Sequence, residues 1–245
     1  VHLISGQDYP IKSSDAMYTF FSSKPNNCFI SYFPIYPHSA AEAYQGKMLW
    51  ASRQLYRIDR YHFTYCGFRH SIPELLTRRL LDYSLFQTLK IFLYNTPQLI
   101  HEKKFRPEFI TLALSRIFPE KRKIPGGITI YGGSAWWSMT KECAEFVISS
   151  YAKNKVLRRF FKYTLIPDEM YFQTILMNSA FSTFLENNHY REIQFEGGDG
   201  THPIVFRKEH LDRLKSSEAF FARKFDADVD PEILDMIDIN LLKNK

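Results

Sequence analysis

Long apolar runs are missing from this sequence of 245 residues. No stretch approaches the roughly 20 consecutive apolar residues that a membrane-spanning helix needs. The pattern of a signal peptide, a charged segment followed by a short apolar one, is not found either. These absences predict that nothing within this sequence inserts in a membrane.

Cysteine is scarce as well. Cys28, Cys66 and Cys143 are the three cysteines of the chain, and they show neither a CxxC spacing nor a histidine at metal-ligand distance. An odd number without such spacing argues against a disulfide framework and against a structural zinc site. The sequence therefore predicts a reducing compartment.

Several catalytic signatures are absent. The sequence contains no GxSxG, P-loop, GxGxxG or HExxH motif. Serine hydrolases of the elbow type, P-loop kinases, dinucleotide-binding enzymes and zinc proteases consequently have no support in the sequence.

The residues that are present describe a globular protein with an excess of positive charge. Apolar residues make up 45% and aromatic residues 16% of the chain, which is enough for a packed core and hints at rings that line a groove for flat ligands. The formal charge of +6 favours an anionic partner such as a nucleotide diphosphate, a nucleic acid or an anionic membrane surface. The basic groups at 103–106, 121–123 and 158–159 are interpreted as solvated surface, with a docking patch as the alternative.

Strand patterns alternate with helix patterns along the chain, which is typical of an α/β protein. Strands are predicted at 1–5, 28–35, 128–131, 190–195 and 202–206. Helices are predicted at 13–23, over much of 38–56, from Pro73, from Pro107, from Thr140, at 155–163, after Pro167, at 208–217 and from Asp230. Glycine pairs directly after strands mark places where the backbone approaches another group closely.

Two carboxylates, Asp168 and Glu169, follow Pro167 at the start of an apolar helix pattern. Both can be explained by the helix dipole and by unpaired backbone N–H groups in the first turn. Glu169 can instead point inward and accept a proton from a hydroxyl group. The residues alone leave both interpretations open.

The aspartates of DADVD have the spacing of a calcium loop, but Pro231 stands at the position of the loop's glycine and Ile237 at that of its final glutamate. The letters also contain an Asp-x-Asp triplet of the kind that holds a divalent metal on a nucleotide diphosphate. Because the triplet leads into a helix capped by Asp230, a structural role is the better explanation.

Three further groups contain candidate site residues. Arg223 and Lys224 lie in a predicted strand and are either surface cations or the charges that neutralise a leaving diphosphate. Of Trp136 and Trp137, one is expected in the core and one is a candidate platform for a sugar ring. Arg57, Arg60 and Tyr61 are interpreted as an exposed helix end.

Five ordered segments resemble the core-2/I-branching β-1,6-N-acetylglucosaminyltransferase family, which also contains the peptide O-xylosyltransferases. They are SGQDYPIKS, GGSAWWSMTKECAEFV, PDEMYFQTILMNS, HPIVFRKEHLDRLKSSEAFFARKFD and DPEILDMID. The resemblance covers the chain from Ser5 to about Leu242.

The resemblance implies a GT-A-like α/β fold with a mixed sheet flanked by helices. It implies a single catalytic domain over 1–245 that corresponds to the C-terminal two-thirds of the complete domain, because the family's uridine-binding strands precede the position of Val1. It also implies inverting transfer, most readily of N-acetylglucosamine, from a UDP-sugar to a hydroxyl of a glycan or lipid-linked glycan, without a metal or other cofactor.

Site residues follow from the family's motifs. The glutamate of P-[DA]-E falls on Glu169 as general base, and the Arg-Lys of ARKF falls on Arg223 and Lys224, which bind the diphosphate. Trp136 and Arg60 match the positions that border the acceptor.

Two features depart from members of the family. Xylosyltransferases carry an aspartate at the position of Ala135, so a xylosyl donor is less expected. Animal branching enzymes are rich in cysteine and membrane-anchored, so this chain resembles a bacterial, cytoplasmic member, with peripheral membrane contact through basic patches as a further expectation.

Two other classes compete with a transferase. One is a non-catalytic carbohydrate-binding or scaffold relative in which Glu169 only starts a helix. The other is a nucleic-acid binder, which is disfavoured because the basic residues form no continuous stripe with interleaved aromatic side chains.

Overall fold

A computed structural model describes residues 1–35, 56–65, 68–71, 122–195 and 202–243 of the chain. The chain divides into two compact units. The first comprises Val1–Phe33, Tyr131–Ser149 and Phe172–Lys245, and the second comprises Pro34–Ile130 and Ser150–Tyr171. Cys66 and the helices predicted over 38–56, from Pro73 and from Pro107 lie outside the described residues. That 1–245 forms one catalytic domain stays a prediction.

The described residues form short strands and helices. The strands are β1 (Asp8–Pro10), β2 (Cys28–Ile30), β3 (Phe33–Pro34), β4 (His62–Tyr65), β5 (Phe68–Ser71), β6 (Tyr131–Gly132), β7 (Trp137–Ser138), β8 (Leu185–Glu186), β9 (Arg191–Ile193) and β10 (Phe221–Arg223). The α-helices are α1 (Ser14–Ser23), α2 (Tyr56–Asp59), α3 (Lys141–Lys153), α4 (Lys155–Lys162), α5 (Tyr171–Met177), α6 (Leu211–Ser216) and α7 (Glu232–Ile237). Short 3₁₀ helices cover Pro167–Glu169, Ala180–Phe184 and Lys208–His210, and a π-helical turn covers Asp238–Leu242.

Two three-stranded mixed sheets lie in the first unit. One has the order β1-β10-β9, in which β10 pairs antiparallel with β1 and parallel with β9. The other has the order β7-β2-β8, in which β2 pairs antiparallel with β7 and parallel with β8. The prediction of an α/β fold with mixed sheets and helices is confirmed at this level, and the GT-A type stays a prediction.

The first sheet is covered by an apolar cluster. Its fully or almost fully buried members are Ile11, Phe206, Leu211, Leu214, Ala222, Phe225, Ile233 and Ile237. Burial of such side chains contributes about 1.5 to 3 kcal/mol each. This cluster fixes β1 and β10, and with them the charged residues at the end of the β1-β10 ladder.

Aromatic side chains form a second cluster in the same unit. The rings of Phe20, Phe21, Phe29, Tyr190 and Phe220 pack with centroid separations such as 4.7 Å and 5.6 Å. These distances are those of tilted and edge-to-face aromatic pairs. Phe29 and Phe220 are buried and the other three rings are half-buried, so this cluster is part of the core of the first unit.

Helix starts agree well with the predictions. The Ser13 hydroxyl accepts a hydrogen bond from the Ala16 N–H at the start of α1, and the Thr140 hydroxyl accepts one from the Cys143 N–H at the start of α3. Asp230 accepts one from the Ile233 N–H at the start of α7. Each is a side chain that satisfies a backbone N–H of the first helical turn.

Two predicted strands are wrong. Residues 1–5 make one bridge, between His2 and Ser138, and the pairing then ends because the Ser5 N–H turns to the Asp8 carboxylate. Residues 202–206 also make a single bridge, because the Ile204 N–H bonds to Gln194 whereas the Phe206 N–H bonds to Lys224. A segment that divides its hydrogen bonds between two neighbours builds no ladder.

Candidate active site

Glu169 ends a 3₁₀ helix, Pro167–Glu169, which belongs to the second unit. The residue before this helix, Ile166, has a positive φ of 52°, an unusual conformation for a β-branched residue. The Glu169 N–H bonds back to the Ile166 carbonyl. This left-handed residue turns the chain so that Glu169 follows Pro167 in a tight turn before α5.

The Glu169 carboxylate is held by an arginine. Arg57 Nη1 donates to Glu169 Oε2 at 2.7 Å. The side chains are 13% exposed for Arg57 and 30% for Glu169, so solvent reaches the carboxylate more than the guanidinium. Among the described residues, no group donates to Glu169 Oε1. One oxygen is thus fixed by Arg57, and the other accepts no hydrogen bond within the described part of the chain.

Opposing effects set the proton affinity of this carboxylate. Burial raises the pKa of Glu169, the neighbouring Asp168 raises it further, and Arg57 lowers it. Burial is the largest effect, and the net direction is upward. A raised pKa is typical of a carboxylate that acts as a general base.

The position of Arg57 differs from the one that the sequence predicts. It was expected on an exposed helix end, but it is largely buried and pairs with Glu169. The Arg57 carbonyl also accepts the Leu165 N–H at 2.9 Å. Because both its backbone and its side chain bond to residues near the P-D-E motif, Arg57 fixes that motif.

Arg122 supports the same region and was also expected on a solvated surface. It is 7% exposed, and its guanidinium donates to the carbonyls of Phe160, Tyr163 and Arg60 and to the Thr164 hydroxyl. Burial lowers the pKa of Arg122 to about 10. The residue is therefore a structural clamp that joins the end of α4 to Arg60.

Asp168 and Arg60 are less engaged with Glu169. Asp168 lies in the first turn of the 3₁₀ helix, as predicted, but in the described part of the chain it caps no backbone N–H. Arg60 Nε lies 3.8 Å from Asp59 Oδ1, and its side chain is partly exposed. The acceptor-side role of Arg60 stays a prediction.

The first unit contains the other predicted residues, Arg223 and Lys224, at the end of β10. Arg223 lies opposite Asp8 in the β1-β10 ladder, and its Nε is 3.4 Å from Asp8 Oδ1. Lys224 follows the strand, and no carboxylate of the described residues pairs with its ammonium group. The peptide bond between Arg223 and Lys224 is cis.

Trp136 contacts Arg223. The guanidinium carbon of Arg223 lies 4.1 Å from the centre of the Trp136 ring, a cation–π contact. The arginine therefore occupies one face of the indole, so a sugar could use only the opposite face as the predicted platform. Trp137 is buried in the core as expected and packs on Phe172.

The loop before Trp136 is packed tightly. A Cβ atom added to Gly133 would lie 1.9 Å from the Ser31 carbonyl oxygen. Gln173 donates to the Ser134 carbonyl at 2.7 Å, and the Ser134 N–H bonds to the Ser31 hydroxyl. This packing explains the glycine that the sequence places there.

The DADVD segment has a structural role. Asp230 accepts the N–H groups of Lys208 and Ile233, and Asp226 accepts that of Asp228. Over the part of the chain that the structure describes, no three His, Cys, Asp or Glu side chains cluster as metal ligands. Metal-independent chemistry stays a prediction.

Residues 83–217 match the family model of the Core-2/I-Branching enzyme. The chain belongs to the Core-2/I-branching enzyme family. The match contains Glu169 and Trp136, whereas Arg60, Arg223 and Lys224 lie outside it.

Animal xylosyltransferases are among the similar proteins. The chain is 34% identical to xylosyltransferase 2 of Rattus norvegicus over an alignment of 139 residues that covers 49% of this chain and 16% of that protein. It is 35% identical to xylosyltransferase 2 of Homo sapiens over 141 residues, again 49% and 16%. It is 30% identical to a xylosyltransferase of Ciona intestinalis over 154 residues, 52% of this chain and 18% of that protein.

The matched region therefore spans about a sixth of the length of these relatives. A bacterial origin and a cytoplasmic location stay predictions. Within the described ranges, no helix combines the length and the apolar character that crossing a bilayer requires.

Sequence reasoning missed Asp8 beside Arg223 in the first unit, and Arg57 and Arg122 near the P-D-E motif in the second. Asp8 was interpreted only as part of a polar turn, and the two arginines as surface charges. Their partners lie far away along the chain, so no local pattern identifies them. An available signal was that SGQDYP belongs to the ordered set of family segments.

Proposed function

We propose that this protein is an inverting glycosyltransferase of GT-A type that moves a sugar from a UDP-sugar to a hydroxyl of a glycan or protein acceptor. Membership of the Core-2/I-branching enzyme family supports a nucleotide-sugar donor and such an acceptor. The arrangement of Glu169 supports the chemistry. The two are independent, since one comes from sequence similarity and the other from side-chain geometry.

Glu169 is the general base of the proposed reaction. Arg57 holds Oε2, and a substrate hydroxyl donates to Oε1. The carboxylate accepts the proton as the acceptor oxygen attacks the anomeric carbon from the face opposite UDP. One displacement inverts the anomeric configuration, so a single base suffices.

Arg223 and Lys224 act on the leaving group. Negative charge develops on the diphosphate as the sugar–phosphate bond breaks, and fixed positive charge at that place lowers the barrier. The planar Arg223 guanidinium can donate two parallel hydrogen bonds to phosphate oxygens, and Lys224 adds a mobile point charge. In this proposal the two cations replace a divalent metal.

Two donors are candidates. The sequence favours N-acetylglucosamine, since Ala135 stands where xylosyltransferases carry an aspartate. The similar animal proteins are named xylosyltransferases, which favours a xylosyl donor. A few pocket contacts decide between such sugars, so both UDP-sugars belong in the assay.

One observation carries the proposal. The Glu169 carboxylate is partly buried, has a raised pKa, is fixed through one oxygen by Arg57 and keeps its other oxygen without a donor among the described residues. A glutamate that only starts a helix would be expected in solvent with an ordinary proton affinity.

The test is acceptor-dependent release of UDP by the full-length protein in EDTA. Wild type, Glu169→Gln and the exposed control Glu209→Gln are assayed with UDP-N-acetylglucosamine, UDP-xylose and a panel of glycan and peptide acceptors. We expect kcat of Glu169→Gln to be about 10²-fold to 10⁴-fold lower than that of wild type, the usual range for a general base. Glu209→Gln should match wild type.

Release that survives EDTA and disappears in Glu169→Gln supports the proposal. Equal release by Glu169→Gln and wild type overturns the role of Glu169. If wild type binds glycans but releases no UDP from any of the UDP-sugars, the protein is instead a carbohydrate-binding or scaffold relative.

A further inference from the structure

Asp8 is a buried carboxylate that has no role in the proposed reaction as described above. Its side chain is 1% exposed, and it stands at the start of β1, directly opposite Arg223 in the antiparallel ladder. Side chains opposite each other in such a ladder lie on the same face of the sheet. The pairing therefore brings the carboxylate and the guanidinium to the same side.

Both oxygens of Asp8 are engaged. The Ser5 N–H donates to Oδ2 at 3.0 Å and the Ser5 hydroxyl donates to Oδ1 at 2.9 Å. The Asp8 N–H bonds in turn to the Ser5 carbonyl. This closed turn fixes the direction of the carboxylate, whose Oδ1 lies 3.4 Å from Arg223 Nε.

Trp136 fixes the guanidinium from another direction. The guanidinium carbon lies over the Trp136 ring, 4.1 Å from the ring centre. Arg223 Nε thus lies beside the Asp8 carboxylate as an ion pair without a hydrogen bond, while the guanidinium carbon lies over the indole ring. In the described part of the chain, Nη1 and Nη2 of Arg223 donate to no group.

We propose that Asp8 and Trp136 are positioning residues that orient Arg223, so that its Nη edge meets the phosphate oxygens of the nucleotide sugar. This inference rests on the proposed function. An arginine that is free to rotate loses side-chain entropy when it binds an anion, whereas an arginine held in place has already lost it. Lys224 has no such partners among the described residues, so it contributes positive charge without a fixed orientation of its ammonium group.

Charge alone predicts the opposite effect of Asp8. A carboxylate beside Arg223 repels an incoming diphosphate, so its removal should strengthen UDP binding if only charge matters. Orientation predicts that removal weakens binding. Asp8→Asn separates the two explanations because it removes the negative charge and keeps the size of the side chain.

The experiment is calorimetric titration of UDP into the full-length protein, with wild type, Asp8→Asn, Arg223→Gln and the double variant. We expect Asp8→Asn to raise the Kd for UDP about tenfold, in the range of a charge-assisted contact. In the Arg223→Gln background, Asp8→Asn should change the Kd by less than about twofold, since its effect acts through Arg223.

Asp230→Asn is the matched control. Asp230 is also a buried carboxylate of the first unit that accepts two backbone N–H groups. We expect this variant to lower Tm and to leave the Kd for UDP within about twofold of wild type. A merely structural Asp8 would behave in the same way.

A second pair of variants covers the case in which Asp8→Asn does not fold. Trp136→Phe keeps an aromatic face for Arg223, and Trp136→Leu does not. We expect Trp136→Phe to stay near wild type and Trp136→Leu to raise the Kd for UDP about threefold to tenfold, as for the loss of a partly desolvated cation–π contact. In kinetics, Trp136→Leu and any folded Asp8→Asn should lower kcat, because the leaving group is less well stabilised.

The outcomes are distinguishable. The positioning role is overturned if wild type binds UDP and Asp8→Asn or Trp136→Leu binds it as tightly or more tightly. In that case the proposed function still stands. An Asp8→Asn effect that is equally large in the Arg223→Gln background also overturns it. Wild type that neither binds UDP nor releases it from any donor overturns the proposed function and this inference together.

Discussion

Arg57 and Glu169, 112 residues apart in the sequence, form an ion pair in which Nη1 and Oε2 are 2.7 Å apart. The guanidinium opposes the effect of burial on the proton affinity of the carboxylate. Because the net shift of the Glu169 pKa is upward, the folded protein binds a proton at this carboxylate more readily than the unfolded chain does. The stability that this group contributes is therefore greatest below the pKa it has in the unfolded chain and is lost as pH rises through its folded value.

Removal of Arg57 should make transfer more sensitive to acid. Burial and Asp168 raise the pKa of Glu169, and removal of the guanidinium takes away the effect of Arg57 that lowers it. A smaller fraction of Glu169 is therefore ionised at a given pH. We expect the acid limb of kcat/KM to move to higher pH in Arg57→Gln, with about a tenfold loss near pH 6. The measurement is the pH profile of kcat/KM.

Arg57→Lys and Arg60→Gln are the controls for this profile. Arg57→Lys keeps a positive charge and should retain much of the wild-type acid limb. Arg60 pairs with Asp59 at 3.8 Å, so Arg60→Gln should leave the acid limb in place while it raises the KM of the acceptor. An unchanged acid limb in Arg57→Gln would show that Arg57 does not tune Glu169.

Arg223 and Lys224 should differ in their tolerance of exchange. Arg223 needs a planar guanidinium to contact Asp8 and Trp136 together, and an ammonium group cannot reproduce that geometry. We expect Arg223→Lys to lose about tenfold in kcat, while Lys224→Arg stays near wild type. Steady-state kinetics with saturating acceptor measures both, and full activity of Arg223→Lys would contradict the prediction.

Gly133 should not accept a side chain. The methyl group of alanine would lie 1.9 Å from the Ser31 carbonyl oxygen, which is backbone and has little freedom to move. We expect Gly133→Ala to reduce the free energy of unfolding by about 2 to 4 kcal/mol. Urea denaturation followed by circular dichroism measures the change.

Gly126→Ala is the matched control for that substitution. A Cβ atom at Gly126 meets nothing within 4 Å, so the free energy of unfolding should change by less than about 1 kcal/mol. Similar losses for both variants would mean that the contact with Ser31 is not the cause.

His189 should make the protein less stable in acid. Burial and the charge of Arg191 lower the pKa of His189 to about 4, and its Nδ1 accepts the Arg191 N–H at 3.0 Å, which requires an unprotonated nitrogen. The unfolded chain binds the proton more readily, so stability is lost as pH falls from about 6.5 through 4.

His189→Asn tests this pH dependence. The asparagine carbonyl can accept the same N–H but does not titrate in this range. We expect the loss of unfolding free energy between pH 7 and 4 to be about 1 to 2 kcal/mol smaller in the variant than in wild type. Identical pH profiles for the two proteins would contradict the assignment.

Local signals were enough to predict several elements. α1, α3 and α7 start where Ser13, Thr140 and Asp230 occur, because each capping side chain bonds to an N–H only three residues away. The short strands at 1–5 and 202–206 were mispredicted because strand pairing depends on partners elsewhere in the chain.

The sequence by itself determined the family and several helix starts, since these depend on motifs and short-range bonds. It also predicts Glu169, Arg223, Lys224 and Trp136 as site residues. Only the tertiary structure decided that Arg57 pairs with Glu169 and that Asp8 and Trp136 both contact Arg223. These pairs join residues from distant parts of the chain. Their contacts depend on how strands and loops pack, and no pattern within a short window encodes that packing.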